Sequence, residues 1–176
     1  EAKPMPPDPH ELSRVRVALA GRSVWLASST HSGEEGVVLA ATSLLKKRHP
    51  NTLLILAPRH PERAEEIEKL MQRHDHTWSR RSRDETPDTS CDVWLADTLG
   101  EMALWYSSAS ASFIGGSLLR GIGGHNPIEA SQLGAAVISG EYVPSFQDVF
   151  DVYRTEKAVT FVDDALSLSE AVEDIW

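Results

Sequence analysis

Five glycines lie within residues 115–129, the part of the sequence best suited to bind an anion. Glycine has no Cβ, so backbone N–H groups in such a loop can close around a phosphate. A helix predicted to begin at Asn126 adds a partial positive charge at its N-terminus. The candidate ligand-binding residues of this segment are Gly116, Ser117, Gly124, His125, Asn126, Pro127, Ile128 and Glu129.

Asn126, Pro127 and Glu129 also fit a purely structural pattern. Asn126 would cap the helix, Pro127 would occupy its first position and Glu129 would point back toward the capped end. The glycines would then form a flexible connector. In the functional alternative, Glu129 accepts hydrogen bonds from two ribose hydroxyls, one helical turn beyond the anion site. His125 beside the glycines favours this alternative.

A guanidinium follows the second predicted strand, in the motif Pro58-Arg59-His60-Pro61-Glu62-Arg63. A planar guanidinium can grip a phosphate or carboxylate through paired hydrogen bonds, so Arg59 is the preferred anion contact, with Pro58 and His60 beside it. The structural alternative pairs Arg59 with Glu62 or another loop carboxylate. Arg63, one turn into the next helix, is expected to be solvated.

Polar residues also follow the first predicted strand, in the run Ser28-Ser29-Thr30-His31-Ser32-Gly33-Glu34-Glu35. The run would be explained structurally if Ser32 caps the next helix and the two glutamates complement its dipole. His31 is harder to explain in this way, because imidazole is not a preferred cap and the position is expected to face the cleft beyond the carboxyl ends of the strands. The candidates here are Thr30, His31, Gly33 and Glu34.

A fourth polar loop has the sequence Asp97-Thr98-Leu99-Gly100-Glu101-Met102. Gly100 allows a close backbone approach, so the backbone of Gly100 and Glu101 could meet a nucleobase while the Met102 thioether packs on its face. Met102 fits equally well as ordinary core filling. The loop by itself does not decide between these roles.

Short apolar stretches alternate with longer helical patterns along the chain, which is typical of βαβ units in a parallel sheet. We predict six strands, at residues 23–27, 52–57, 77–81, 92–96, 111–114 and 135–138. Helices are predicted at 34–48, 61–74, 100–107 and 126–133, and the segments 146–153, 158–162 and 164–175 complete the alternation. The predicted fold is α/β, with a Rossmann-like parallel sheet and helices on both faces. Ligand-binding loops of such a fold gather beyond the carboxyl ends of the strands.

Composition restricts the remaining possibilities. The net charge of −9 over 176 residues argues against a non-specific nucleic-acid binder. The single cysteine, Cys91, excludes an internal disulfide, and its place at the start of an apolar strand favours packing over nucleophilic chemistry. No apolar run approaches a membrane span, and no signal peptide is visible. Neither a Walker lysine motif nor G-x-G-x-x-G follows the first strand, which disfavours ATP hydrolysis and ordinary dinucleotide binding.

The four polar loops, taken in order, resemble those of the Kdo (3-deoxy-D-manno-octulosonic acid) transferases of lipopolysaccharide biosynthesis. The resemblance rests on residues 29–35, 58–63, 100–102 and 115–129, and it spans about residues 22–165. That family is similar to other GT-B glycosyltransferases, which have two Rossmann-like domains with a cleft between them. The resemblance identifies residues 22–176 as the C-terminal, nucleotide-sugar (donor) binding domain. Residues 1–21, which are rich in proline and lack an initiating Met, would be an interdomain linker or residual N-terminal segment of a longer polypeptide.

The resemblance implies transfer of Kdo from CMP-Kdo to a lipid A precursor, with inversion and without a metal or other cofactor. Pro58 and Arg59 would contact the CMP moiety, residues 100–102 the nucleotide, and residues 126–129 its phosphate and ribose. The second-tier donor contacts would be Thr30, His31, Gly33, Glu34, His60, Gly116, Ser117, Gly124 and His125.

No catalytic residue is expected in this chain, because the family's catalytic base is a glutamate of the N-terminal domain. That domain would also meet the acceptor and the membrane surface, on the cytoplasmic face of the bacterial inner membrane. This fragment alone would be soluble and inactive. A sugar-nucleotide epimerase of similar fold and a non-catalytic nucleotide-binding module remain as alternatives.

Overall fold

The computed structural model describes residues 4–176, which form a seven-stranded parallel sheet between two layers of helices. In chain order the elements are α1 (Pro9–Ala18), β1 (Ser23–Thr30), α2 (Glu35–Arg48), β2 (Thr52–Pro58), α3 (Ala64–Arg73), β3 (Trp78–Arg80), β4 (Val93–Leu95), α4 (Met102–Tyr106), β5 (Ala111–Ile114), α5 (Ile128–Gln132), β6 (Ala136–Ser139), α6 (Gln147–Thr155), β7 (Val159–Phe161) and α7 (Ala165–Ile175). The fold class predicted from the sequence is confirmed.

The order of strands across the sheet is β3-β4-β2-β1-β5-β6-β7. From β1 the chain winds outward through β2, and it returns to the other side of β1 at β5. Where the winding direction reverses in an open parallel sheet, the loops at the carboxyl ends diverge and leave a crevice. That switch point lies between β1 and β5, so the loops after these two strands flank the crevice.

Alternate residues of the central strands point to opposite faces, and each face has its own core. Trp25 and Leu54 pack with α2, α3 and α7, whereas Leu26 and Ile55 pack with α1, α4, α5 and α6. Burial on both faces explains the nearly continuous apolar sequence of β2. Cys91 is also buried, and this burial raises the pKa of its thiol, as expected of a packing residue.

The structure adds a helix to the N-terminal segment that the sequence predicts as a linker. Asp8 caps α1 by accepting a hydrogen bond of 2.8 Å from the His10 N–H, and Pro9 occupies the first helical position. Val15 and Leu19 are buried against the same core as β1 and β2. The described part of residues 1–21 therefore packs on the domain, and residues 1–3 lie outside the described residues.

Other differences from the sequence prediction concern the ends of elements. The sheet has seven strands where six were predicted, because the stretch around β7 pairs with β6. Helices α4 and α5 have only five residues each, so both are shorter than predicted. Gly100 has a left-handed φ of +80°, which keeps it out of α4. Over residues 4–176, no helix is long and apolar enough to cross a membrane.

Asp92, just before β4, ties three elements together. Its carboxylate accepts hydrogen bonds from Lys46 of α2 and from the Thr77 N–H at 3.1 Å, and it lies 3.2 Å from Nδ1 of His76. Burial raises the pKa of Asp92, but these three partners outweigh burial and hold the pKa below its usual value. The ionised form is therefore the one that the fold stabilises.

We expect Asp92→Asn to lower the free energy of unfolding by about 2 kcal/mol near pH 6, because it removes a buried charge from its partners. A carboxylate with a depressed folded-state pKa stabilises the protein above its unfolded-state pKa of about 3.9, and the contribution is lost as the pH falls through the folded-state pKa. The difference in free energy of unfolding between wild type and variant should therefore narrow between pH 5 and pH 3. Urea unfolding across this range, with the exposed Asp148→Asn as control, measures it. A gap that is unchanged at pH 3 would contradict the assignment.

Candidate functional site

Three histidines from three different loops meet beyond the carboxyl ends of the strands. His31 follows β1, His60 follows β2 and His125 lies in the loop after β5. The rings of His31 and His125 are nearly parallel, with an interplanar angle of 13°, and meet edge to edge, with centroids 5.1 Å apart and Nε2 atoms 2.8 Å apart. His60 meets the His31 ring edge-on at 5.7 Å. This histidine cluster lies at the switch point of the sheet, and the sequence-predicted loops after β1, β2 and β5 are brought together there.

The rings of His31 and His125 are uncharged near neutral pH. Burial lowers the pKa of His31 below that of a free imidazole; Glu34 opposes this lowering, and His60 adds to it. Burial also lowers the pKa of His125, and proximity to His31 and Arg59 lowers it further. One Nε2 must carry a hydrogen and the other a lone pair for the 2.8 Å contact to form.

Arg59 faces this cluster with an exposed guanidinium. Its backbone N–H donates to the Thr30 carbonyl at 3.0 Å, which joins the end of β2 to the end of β1. Within residues 4–176, no carboxylate lies within 4.0 Å of the Arg59 side chain, and Glu62 instead lies 3.7 Å from His60. The structural alternative of an Arg59–Glu62 pair is therefore not adopted. Pro58 is buried at the end of β2 and fixes where Arg59 leaves the sheet.

Glu34 is fully buried beneath the cluster and binds four backbone N–H groups. One carboxylate oxygen accepts from His31 at 2.9 Å and Gly116 at 2.7 Å. The other accepts from Ser117 and Leu118, each at 3.1 Å. These four hydrogen bonds fix the loop after β5 to the loop after β1.

This arrangement corrects two expectations from the sequence. Glu34 was a candidate donor contact, but its carboxylate is used up by backbone amides and is shielded from solvent. The first part of the glycine-rich loop was expected to close around a phosphate, but the N–H groups of Gly116 and Ser117 already hold Glu34. The buried Ser117 hydroxyl donates to the Ile114 carbonyl at 2.7 Å and accepts from Gly140 at 2.8 Å. Both residues therefore shape the site from inside.

Thr30 and Gly33 complete the loop after β1. Thr30 is fully buried, and its hydroxyl has no hydrogen-bond partner in the described part of the chain. Gly33 is exposed in the turn before Glu34. Just before Thr30, Ser29 has a left-handed φ of +54° at an irregularity in the pairing of β1 with β2. This conformation is costly for a residue with a Cβ, and it turns the chain toward the crevice.

The glycine-rich loop needs glycine for close packing around His125. Gly116 has φ +70°, and a Cβ there would lie 2.8 Å from Cδ2 of the His125 ring. Gly124 has φ +86°, and a Cβ there would lie 3.0 Å from the Val143 backbone. The Gly124 N–H donates to the Gly116 carbonyl at 2.9 Å. The N–H groups of Gly123, which is buried, and of His125 donate to no protein acceptor in residues 4–176.

Arg63 and Glu35 form a further pair that the sequence did not reveal. Two Arg63 nitrogens donate to the fully buried Glu35 carboxylate at 3.2 Å and 2.8 Å, and Nε donates to Glu66 at 2.6 Å. The expectation of a solvated Arg63 was therefore wrong. Arg63 lies just before α3, and its side chain reaches the start of α2, where it supplies the counter-charge of the buried Glu35 carboxylate.

The loop before α4 presents backbone groups to the same edge of the sheet. Gly100 is exposed with open space around it, and neither its N–H nor that of Glu101 donates to an acceptor among the described residues. The Glu101 side chain is held by Arg81 at 2.8 Å and by Thr98 at 2.5 Å. Met102 is half-buried and packs against the core, which agrees with the core-filling alternative. The side chains of Glu101 and Met102 are therefore engaged, and the N–H groups of Gly100 and Glu101 are left for a nucleobase.

The segment 126–129 leads into α5, which packs against α4. The Asn126 side chain accepts from the Ile128 N–H at 3.0 Å, so it caps the turn before the helix. The helix starts at Ile128, two residues later than predicted, and Pro127 is buried beside it. Glu129 is exposed and makes no side-chain hydrogen bond within residues 4–176. The structure thus contains the Asn126 cap without the predicted back-bond from Glu129, whose carboxylate is free.

A polar cavity of about 590 Å³ beside the Glu101 loop was missed by the sequence prediction. Arg81 lies in its wall, bridges Glu101 to Glu11 of α1, and packs 5.4 Å from the centre of the Trp105 ring. Ser82 and Thr98 also line it. The sequence prediction misses this cavity because it does not include α1 and because it places Arg81 in the strand predicted at residues 77–81.

No protein-family model matches the chain. The chain is 37% identical over 153 residues to the 3-deoxy-D-manno-octulosonic acid transferase of Haemophilus influenzae, covering 86% of this chain and 36% of that protein. It is 37% identical over 163 residues to the probable mitochondrial 3-deoxy-D-manno-octulosonic acid transferase of Arabidopsis thaliana, covering 90% of this chain and 36% of that protein.

Among solved structures, the C-terminal CMP-Kdo binding domain of WaaA from Acinetobacter baumannii is similar, with a TM-score of 0.88 and 30% identity. The match covers 94% of this chain and 87% of that one. The chain thus spans about a third of the length of the curated relatives, and most of one C-terminal domain.

Proposed function

The chain belongs to the Kdo transferase family and matches its C-terminal domain, and from this premise we propose that it is the donor-binding domain of a glycosyltransferase. The complete enzyme would move Kdo from CMP-Kdo to a lipid A precursor, with inversion at the anomeric carbon and without a metal ion. This domain would bind the donor. The N-terminal domain would supply the catalytic base, the acceptor surface and the contact with the cytoplasmic face of the bacterial inner membrane.

The observation that carries this proposal is the unpaired Arg59 guanidinium in the crevice between β1 and β5. The N–H groups of Gly123 and His125, which have no acceptor in residues 4–176, lie in the loop that carries the His125 ring into the histidine cluster. A phosphate there would give Arg59 the counter-charge that no carboxylate of residues 4–176 supplies within 4.0 Å. A guanidinium together with backbone amides is a common way to hold a phosphate.

The rest of the nucleotide would lie along the loops on either side. The free N–H groups of Gly100 and Glu101 would meet the base, and the exposed Glu129 carboxylate would accept hydrogen bonds from the ribose hydroxyls. During transfer, Arg59 and the loop amides would stabilise the negative charge that builds up on the departing CMP phosphate. The base of the N-terminal domain would deprotonate the acceptor hydroxyl. On this division of roles, the domain alone binds the donor and transfers nothing.

An epimerase or a non-catalytic module remains a weaker candidate, because no observation specific to this chain favours either. An epimerase would convert one nucleotide sugar into another without an acceptor. A non-catalytic module would bind nucleotide and leave the full-length protein inactive. Product analysis with the full-length protein, CMP-Kdo and a lipid A precursor distinguishes these three functions.

We expect this 176-residue chain to bind CMP about tenfold more tightly than UMP. Cytosine carries an amino donor where uracil carries a carbonyl acceptor, so a protein group matched to one base is left unpaired by the other. Calorimetric titration of both nucleotides measures the ratio, and NMR of backbone amides near Gly100 and Arg59 locates the site. Equal affinities, or shifts confined to another surface, would contradict the proposal.

A further inference from the structure

The histidine cluster has a feature that binding of a nucleotide phosphate does not require. His31 and His125 hydrogen-bond to each other through the same ring atom, Nε2, at 2.8 Å. Only one hydrogen fits between two such nitrogens, because two N–H groups would repel. The pair is therefore closed on itself in this structure, with one hydrogen bond joining two partly exposed rings. Opening the pair would expose two Nε2 atoms side by side.

The groups that face the pair come from the loop after β1, the start of α2 and the end of β2. Glu34 accepts from four backbone N–H groups, and Glu35 is paired with Arg63. From the end of β2, Arg59 and His60 face both rings and lower the pKa of each, whereas Glu34 raises it. Arg59 thus faces the pair with a permanent positive charge, and the two nearby carboxylates already have partners.

We propose that His31, His125 and His60 form a second anion subsite beside Arg59, which binds the carboxylate of the sugar acid and takes up a proton as it does so. This inference rests on the proposed function. A CMP-linked octulosonic acid carries a phosphate and a carboxylate, whereas CMP carries only the phosphate. Arg59 and the loop amides take the first anion, and the histidine cluster takes the second. The subsite selects sugars that carry an acid group.

The proton balance follows from the geometry of the pair. One hydrogen joins the two Nε2 atoms in the closed state, whereas a carboxylate bridging them accepts hydrogen bonds from both. The second hydrogen is supplied either by a shift of the accepting ring's own hydrogen from Nδ1 to Nε2, which takes up no proton, or by a proton from the solvent, which leaves that ring cationic beside the bound anion. The negative charge of the bound carboxylate favours the cationic ring. The bound anion raises the pKa of the pair, which burial and neighbouring cations hold low in its absence. Proton uptake is therefore expected at a pH above the pKa of the free pair, near pH 7.5.

The test uses the full-length protein, with CMP and CMP-Kdo as ligands. Calorimetry at pH 7.5 in HEPES and in Tris, which differ in ionisation enthalpy, gives the number of protons taken up. We expect uptake of a substantial fraction of one proton per site with CMP-Kdo and less with CMP. In His125→Gln the extra uptake should vanish, and the preference for CMP-Kdo over CMP, taken as the ratio of the two affinities in the same variant, should fall about tenfold. Glutamine still donates a hydrogen bond but cannot take a proton.

His31→Gln should behave like His125→Gln, whereas His10→Gln, at an exposed position on α1, should behave like wild type. Circular dichroism and thermal unfolding show whether each variant is folded, and the second variant keeps the test decisive if one is not. If CMP binds but CMP-Kdo causes no extra uptake, or if both glutamine variants keep the preference, the subsite is wrong and the donor-binding function stands. If CMP itself does not bind, the donor-binding function fails and the subsite with it.

Discussion

Replacing Glu34 by Ala is expected to lower the free energy of unfolding by about 4 kcal/mol or more. The substitution removes the acceptor of four backbone N–H groups at a fully buried position, and each unsatisfied buried donor costs about 1–3 kcal/mol. Water entering the space can recover only part of this loss. Since two of these donors belong to Gly116 and Ser117, the glycine-rich loop should lose its order and the chain its affinity for CMP. Urea unfolding and calorimetric titration measure the two effects.

A matched pair of variants separates charge from hydrogen-bond geometry at this position. Glu34→Gln keeps the shape, but its amide nitrogen must face two N–H donors in place of one carboxylate oxygen, so it should be nearly as unstable as Glu34→Ala. Glu62→Gln is the control, because Glu62 lies in the neighbouring strand-end loop with a side chain that is 75% exposed. A Glu34→Gln protein as stable as wild type would show that the four amides do not depend on the carboxylate.

The sequence was sufficient to predict that the loops after β1, β2 and β5 meet, because they follow parallel strands whose carboxyl ends share one edge. Arg59, His31 and His125 were placed together on this ground, and the structure brings them together at the switch point. The alternation of apolar strands with helical patterns also predicted the fold class correctly. Such inferences depend on periodicity, which is local in sequence, and on the general rule that ligand-binding loops of a parallel sheet lie at the carboxyl ends of its strands.

The sequence was not sufficient to predict what each polar side chain binds. Glu34 and Glu35 looked alike, yet one holds backbone amides of a loop more than 80 residues away and the other holds Arg63. Both contacts depend on the exact position of a neighbouring element. Helix α1 was missed for a related reason, since only Val15 and Leu19 of its surface are buried and its apolar pattern is weak.

These contacts leave the Arg59 guanidinium without a carboxylate partner among residues 4–176, in a protein of net charge −9. Backbone amides hold the Glu34 carboxylate and Arg63 pairs with Glu35, so neither of these carboxylates pairs with Arg59. Local pairing, rather than the overall charge, therefore determines what the crevice can bind. The same reasoning makes Arg59 the side chain whose loss should harm ligand binding most.

Replacing Arg59 by Ala in the full-length protein is expected to weaken CMP binding about 100-fold. Charge-assisted hydrogen bonds contribute about 1.5–3 kcal/mol, and 2.7 kcal/mol corresponds to about a factor of 100. Folding should change little, because within residues 4–176 the exposed Arg59 side chain has no carboxylate within 4.0 Å. Calorimetry measures the affinity, and kcat with CMP-Kdo should fall as well, since the charge on the leaving phosphate grows in the transition state.

Two further variants make the Arg59 result specific. Arg59→Lys keeps the positive charge but loses the planar pair of donors, so its CMP affinity should lie between wild type and Arg59→Ala. Arg73→Ala removes an exposed arginine at the end of α3 and should bind CMP like wild type. If Arg59→Ala binds CMP as tightly as Arg73→Ala does, the phosphate lies elsewhere.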